Sequence, residues 1–137
     1  MSNIEPTNSR PWATDIATVT LLVADLAVTR AFYVSTFGVP IVFEDNDCAV
    51  FKFKNTLINL LKESAGDELL APEPVAPVAP GARFVFTIGV DDVDAVCAEL
   101  ASRGVELLNG PMDRPWGIRT ASFKDPAGYV WEISKDL

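Results

Sequence analysis

The 137-residue sequence contains no histidine. That absence removes Ser–His and Cys–His nucleophile pairs and every imidazole-ligated metal site. Cysteine is scarce as well. Cys48 and Cys97 stand apart, outside any CxxC-like spacing, and read as reduced core residues. No run of ~18 apolar residues occurs, so a membrane-crossing helix is not expected. The opening stretch MSNIEPTNSRPWATD lacks the charged and then apolar regions of a secretory leader, which makes the cytoplasm the expected location. Basic residues are few, with 11 Lys and Arg against 19 Asp and Glu and a net charge of −8. Nucleic-acid binders cluster Lys and Arg against phosphates, so no nucleic-acid partner is expected. The acid excess serves solubility and is compatible with a cationic small ligand.

What is present suits one globular domain: 49% of the residues are apolar, spread along the chain, enough to bury a core. The segment 17–25, ATVTLLVAD, is β-branched and reads as a strand. Asp25 is placed to cap a helix over LAVTRAFYVSTF, which Gly38 stops. Strands follow over 39–44, 48–54 and 56–62, separated by the turn-forming DND and NT. The same order returns in the second half. A strand over 83–90 precedes Asp92, which can cap a helix whose Val93, Val96, Cys97 and Leu100 make one apolar stripe, ended by Gly104. Strands close the chain over 105–110, 117–124 and 129–134, the last two joined by Asp125-Pro126-Ala127-Gly128, a type I turn sequence.

The chain is therefore βαβββ twice, an α+β organisation, with VADL at 23 and VDDV at 90 offset by 67 residues. An N-terminal arm covers 1–15, the first module 16–63 and the second 83–137, the whole forming one domain over 13–137. Residues 64–82, with four prolines, read as a stiff connector lacking helical or strand period. Such a connector permits the modules to pair within one chain or to exchange between two.

Three stretches carry a family resemblance: VTLLVADLAVTRAFYVSTFGVPI (19–41), FTIGVDDVDAVCAELASRGVEL (86–107) and RPWGIRTASFKDPAGYVWEI (114–133). With them the chain resembles the vicinal oxygen chelate superfamily, which groups glyoxalase I, bleomycin-resistance proteins, fosfomycin-resistance enzymes and extradiol dioxygenases. The resemblance implies two βαβββ modules whose mixed sheets curl around a shared cavity, usually in a homodimer. It also implies metal-ligand positions on the first and last strand of each module. Those positions hold Thr18 and Asn59 in the first module, and Val85 and Glu132 in the second. A transition metal needs about three strong ligands, so no metal and no cofactor are expected. A water-rich Mg²⁺ site on Glu132 and Asn59 is the one metal alternative.

Strand alternation turns these positions into lining residues. Thr18, Thr20 and Leu22 share a face, as do Leu57, Asn59 and Leu61. Val85, Thr87 and Gly89 do the same in the second module, with Val130, Glu132 and Ser134 beside them. The threonines are equally readable as ordinary β-branched strand residues, and Glu132 as a solvated position or a partner of Arg119. In RPWG, Trp116 reads as a stacking ring at the cavity mouth or as a rim-closing core residue. Phe43, Phe51 and Phe53 read as aromatic wall or as core, and Trp12 as an anchor for the arm.

Sequence therefore points first to a protein that binds or sequesters a small hydrophobic or aromatic ligand, including a cationic antibiotic, as metal-free bleomycin-resistance-like proteins do. Its ligand-binding residues would be Thr18, Thr20, Asn59, Val85, Thr87, Trp116 and Glu132. The alternative is a metal-independent lyase or isomerase with Glu132 as general base.

Overall fold

The computed structural model describes residues 12–78 and 81–137, and within them the βαβββ order appears twice. The first module comprises β1 (Thr18–Val23), α1 (Leu26–Phe37), β2 (Ile41–Glu44), β3 (Cys48–Lys52) and β4 (Leu57–Lys62). A further helix, α2 (Glu63–Leu70), leads into the connector. The second module comprises β5 (Val85–Gly89), α3 (Val93–Ser102), β6 (Leu107–Asp113), β7 (Ile118–Lys124) and β8 (Val130–Asp136). Each module is one four-stranded mixed sheet, in the orders β1-β4-β3-β2 and β5-β8-β7-β6. The architecture is the α+β pair of modules that the repeat predicts.

Local chemistry sets the helix ends. Asp25 Oδ1 accepts from the Val28 N–H at 3.1 Å, and Asp92 Oδ1 accepts from the Ala95 N–H at 3.0 Å, the same cap used twice. Gly38 (φ 67°) and Gly104 (φ 79°) take the left-handed conformation that ends each helix. After α3, Gly104 and Val105 donate to the carbonyls of Ala101 and Leu100, the two bonds of a Schellman stop. The α3 stripe is buried as the periodicity predicts, with Val93, Cys97 and Leu100 in the core and Val96 half-buried. Cys48 and Cys97 are both free thiols, Cys97 buried and Cys48 half-buried.

The connector differs from its sequence reading. It begins as α2 rather than as irregular chain, although Lys62 at its start supplies no side-chain cap. Helix formation is possible because the first proline comes only at position 72, past the helix end. Gly66 lies so close to Leu22 that a Cβ there would meet the leucine side chain, so tertiary packing rather than propensity holds this short helix. From Pro72 onward the described part of the connector has neither helix nor strand. Of the N-terminal arm, residues 1–11 lie outside the described residues. Trp12, expected to anchor the arm, is 95% exposed. Among the described residues no helix is long and apolar enough to cross a membrane.

The modules meet through one aromatic cluster. Phe37 of α1 lies 4.7 Å from Trp131 of β8 (ring centroids), and Phe53, just beyond β3, stacks on the same indole at 5.6 Å and 18°. Tyr33 packs between Phe51 of β3 at 5.4 Å and Trp131 at 5.9 Å. Phe51 and Phe53 thus belong to core and module contact; Phe43 is 56% exposed. At the centre of the cluster the buried Tyr33 hydroxyl donates to Asp125 Oδ2 at 2.7 Å. Asp125 opens the predicted turn, where Gly128 N–H donates to its carbonyl. Its Oδ1 accepts from the Ala127 and Tyr129 N–H groups, each at 2.9 Å. A second bond crosses the modules where the Tyr129 hydroxyl donates to the Leu22 carbonyl at 2.9 Å.

Burial pushes the Asp125 carboxyl up from its ordinary value, against the opposing pull of the Tyr33 hydroxyl and the Tyr129 and Ala127 N–H groups. Burial, and then the Asp125 charge, also push the Tyr33 phenol up. Because the folded carboxyl holds its proton more firmly than the unfolded one, its stabilising contribution is complete below the unfolded value. That contribution is lost as pH rises through the folded value. Asp125→Asn lacks this titration. The stability of the wild type relative to that variant should therefore fall as pH rises above about 4, the unfolded carboxyl's value, read from denaturant midpoints at each pH. At fixed pH, Tyr33→Phe leaves a buried carboxylate oxygen without its donor and should cost about 1–3 kcal/mol in urea unfolding. Gly110, inside β6, has φ 82°, and a Cβ there would press on the Thr120 carbonyl oxygen and the Ala121 Cα. Gly110→Ala should cost about 1–3 kcal/mol or more by the same measurement, because neither backbone atom can give way.

Candidate functional site

Each sheet has a core face and an open face, set by strand alternation. In β1, Leu21 and Val23 are buried, while Thr20 and Leu22 are half-buried and Thr18 is exposed. In β8, Trp131 and Ile133 are buried, and Val130, Glu132 and Ser134 are half-buried on the other side. An acid between two large apolar residues is thus a matter of facing: Trp131 and Ile133 enter the core and Glu132 does not.

Register brings the open-face residues into rows, because directly paired residues on neighbouring strands share a face. In the first sheet Thr20 pairs with Asn59, Asn59 with Val50, and Val50 with Phe43. In the second sheet Thr87 pairs with Glu132, Glu132 with Ser122, and Ser122 with Asn109. Thr20 and Thr87 are separated by the same 67 residues as the repeated helix caps. Both threonines bond to their row neighbour. Asn59 Nδ2 donates to Thr20 Oγ1 at 3.4 Å, and Thr87 Oγ1 donates to Glu132 Oε1 at 2.9 Å. Asn59 Oδ1 is buried without a hydrogen-bond partner among the described residues.

Thr18 and Val85 lie one pleat from these rows, opposite Leu57 and Val130, and Val85 is 48% exposed. The structure therefore brings Thr18, Thr20 and Asn59 together on one sheet, and Val85, Thr87 and Glu132 together on the other. It does not bring the two groups to one enclosed space within a single chain. The sheets are not closed, and the modules join through their aromatic core faces; on the other face of the second sheet Thr120 and Ser122 are buried and Glu132 and Ser134 half-buried. The larger recesses lie elsewhere: one of about 390 Å³ beside Phe32, Leu107 and Asp125, and one of about 360 Å³ beside Asp91–Asp94 and Arg119.

Two further expectations change. Arg119 does not pair with Glu132. It sits on the opposite face of β7, where its guanidinium donates to both oxygens of Asp94 on α3 (2.9 and 3.0 Å) and to Asp113 on β6 (2.9 Å). Its hydrogen bonds and charge hold the Asp94 carboxyl below the usual range. Trp116 is 66% exposed in the turn between β6 and β7, so it does not close a rim as core. Beside it stands Arg114, a residue the sequence reading passed over. Arg114 Nε donates to Thr120 Oγ1 at 2.9 Å, its Nη2 donates to Asn109 Oδ1 at 3.0 Å, and its guanidinium carbon lies 5.7 Å from the Trp116 ring centre. The only sequence sign was the Arg-Pro-Trp-Gly turn; the irregular register of β6 around Gly110, which carries Asn109 to this face, is not readable from composition.

The donor chemistry of the four metal-ligand positions is one hydroxyl, one amide, one hydrocarbon and one carboxylate, divided between two separate faces. A zinc, iron or manganese ion requires several strong ligands at fixed geometry, and this set does not fit one. Among the described residues no group of three His, Cys, Asp or Glu side chains converges.

Comparison with known proteins agrees with this architecture. The profile of the Glyoxalase/Bleomycin resistance protein/Dioxygenase superfamily matches residues 15–133. The Bacillus subtilis (strain 168) protein YraH is 32% identical over 123 residues, which cover 87% of this chain and 96% of YraH. A glyoxalase/bleomycin resistance protein/dioxygenase from Nocardioides superposes with a TM-score of 0.83 at 25% identity, over 96% of this chain and 87% of its own. TnmS3, an antibiotic binding protein from Streptomyces sp. CB03234, superposes with a TM-score of 0.70 at 26% identity, over 93% and 100%. With two βαβββ modules, the repeated Asp caps and a profile match over most of its length, the chain belongs to the glyoxalase/bleomycin resistance protein/dioxygenase superfamily.

Proposed function

We propose that the protein is a cytoplasmic homodimer that binds and sequesters a small, flat, hydrophobic or aromatic molecule between open sheet faces, without a metal. The observation that carries this reading is the pair of matched rows, Phe43–Val50–Asn59–Thr20 and Asn109–Ser122–Glu132–Thr87. Each combines apolar or small groups with a few placed polar ones, which is the composition of a ligand pocket. Each row is half a pocket, since a single chain leaves Phe43, Val85 and Trp116 about half or more exposed. A second copy laying its first sheet over this second sheet would complete the enclosure. The unpartnered Asn59 Oδ1 and the Glu132 oxygen not bonded to Thr87 then become the polar anchors. Similarity to an antibiotic binding protein supports the ligand class.

A second reading treats Glu132 as the general base of a metal-independent lyase or isomerase. The Thr87 hydroxyl orients one carboxylate oxygen and leaves the other available to a substrate proton.

Calorimetric titration against glycopeptide, quinone and polyketide antibiotics tests the first reading, with sedimentation analysis of the free protein. The expected result is a dimer with saturable binding to at least one compound and an affinity unchanged by EDTA. Absence of binding across the panel, or its loss on chelation, rejects it. Glu132→Gln should weaken binding by roughly 10–100-fold, the worth of a hydrogen bond to a charged group. A variant that binds as the wild type but loses turnover of a substrate favours the general-base reading instead.

A further inference from the structure

We infer that Arg114 is an anion receptor on the open face of the second sheet, so that the ligand is a flat molecule presenting a carboxylate to Arg114 and a hydrogen-bond donor to Glu132. This rests on the pocket reading above and narrows its ligand.

The inference comes from how the arginines are paired. Arg30 ends on Glu44, Arg103 on Glu99, and Arg119 on Asp94 and Asp113. Arg114 forms no ion pair among the described residues and ends instead on two neutral oxygens, those of Thr120 and Asn109. Those bonds fix the guanidinium plane without cancelling its charge. They use two of its five N–H groups, and the rest remain free to donate. A half-buried guanidinium without a counter-charge loses hydration uncompensated, and an incoming anion restores the balance. The planar fork matches a carboxylate through two parallel hydrogen bonds. Trp116, next to the guanidinium and largely exposed, offers a ring on which a flat ligand can stack.

Placement relative to Glu132 follows from the register. Thr120 pairs with Ser134, two residues from Glu132, and Asn109 joins Glu132 through Ser122. Arg114 therefore covers the same face as Glu132, about one to two strand spacings away, roughly 5–10 Å. The two charges do not pair with each other. Together they present a fixed positive and a fixed negative group to one ligand, with the Ser122 position between them. A simple cation, the ligand that the overall acidity suggests, would meet repulsion at the Arg114 end.

The test is a titration of the full-length protein, followed by NMR at the Trp116 indole N–H, with 4-(aminomethyl)benzoate, its methyl ester and benzylamine. The acid should bind at least tenfold more tightly than the ester. Arg114→Met should erase that ratio and Arg114→Lys reduce it severalfold, while Glu132→Gln weakens acid and ester alike. A purely structural Arg114 would change thermal stability and leave the acid-to-ester ratio intact. If Arg114→Met does not fold, the lysine variant decides through the same ratio. Equal affinity for acid and ester, or a ratio that survives both Arg114 substitutions, overturns the anion receptor and leaves the pocket reading standing. No saturation with any of the three probes overturns the anion receptor, while the antibiotic titration decides the pocket reading separately.

Discussion

The hydrogen bond from Tyr33 to Asp125 is the contact on which the arrangement of the two modules depends. Tyr33 belongs to α1, and Asp125 to the turn before β8. A 2.7 Å bond between them at the centre of the aromatic cluster specifies one docking geometry among the many that apolar packing alone would tolerate. The rings of Phe37, Phe53 and Trp131 pack on one another across the modules, but stacked and edge-on rings can slide. Asp125 cannot, because its other oxygen is tied to the backbone of its own turn. The bond thus transmits the position of α1 to β8, the strand that carries Glu132.

Its consequence for function is geometric. Once the core faces are committed to the aromatic cluster, alternation directs the polar row residues to the opposite faces. An antiparallel or mixed sheet can bury one face and present the other, and here the presented faces carry the polar row residues. The pairing of Arg119 with Asp94 and Asp113 follows the same division. Those groups saturate one another on the helix side of β7, so they place no counter-charge on the open side. Arg114 and Glu132 are left as the charged groups of the open face of the second sheet's central rows.

Much of this was legible in the sequence. The Asp caps, the Gly stops, the α3 stripe and the 67-residue repeat specified both modules, because each rests on local chemistry. Alternation likewise sorted Glu132 from Trp131 without coordinates. What failed depended on register or on contact across distance. Arg119 stayed open as one partner for Glu132 because sequence does not give the register that pairs Ser122 with Glu132 and Arg119 with Lys135. Helix α2 was missed because a short uncapped segment acquires its helix from packing against Leu22, not from its own pattern. Arg114 was missed because Asn109 reaches it only through the irregular stretch of β6 at Gly110, where strand counting loses phase.

The repeat also explains why the two open faces are not equivalent. The repeat has a threonine at the same point of β1 and β5, each bonded to the polar residue beside it. Along the row the halves differ: Phe43 and Val50 occupy positions where the second module has Asn109 and Ser122. One row is half apolar, and the other is wholly polar. Two apolar plates facing each other would collapse or aggregate, and two charged ones would stay hydrated. An apolar plate opposite a charged one instead excludes water while still offering directional contacts, which strengthens each of those contacts. In the proposed dimer such asymmetry suits the first sheet of one copy to the second sheet of another. The ligand proposed above would accordingly be two-sided, with one surface for stacking and one edge for hydrogen bonding.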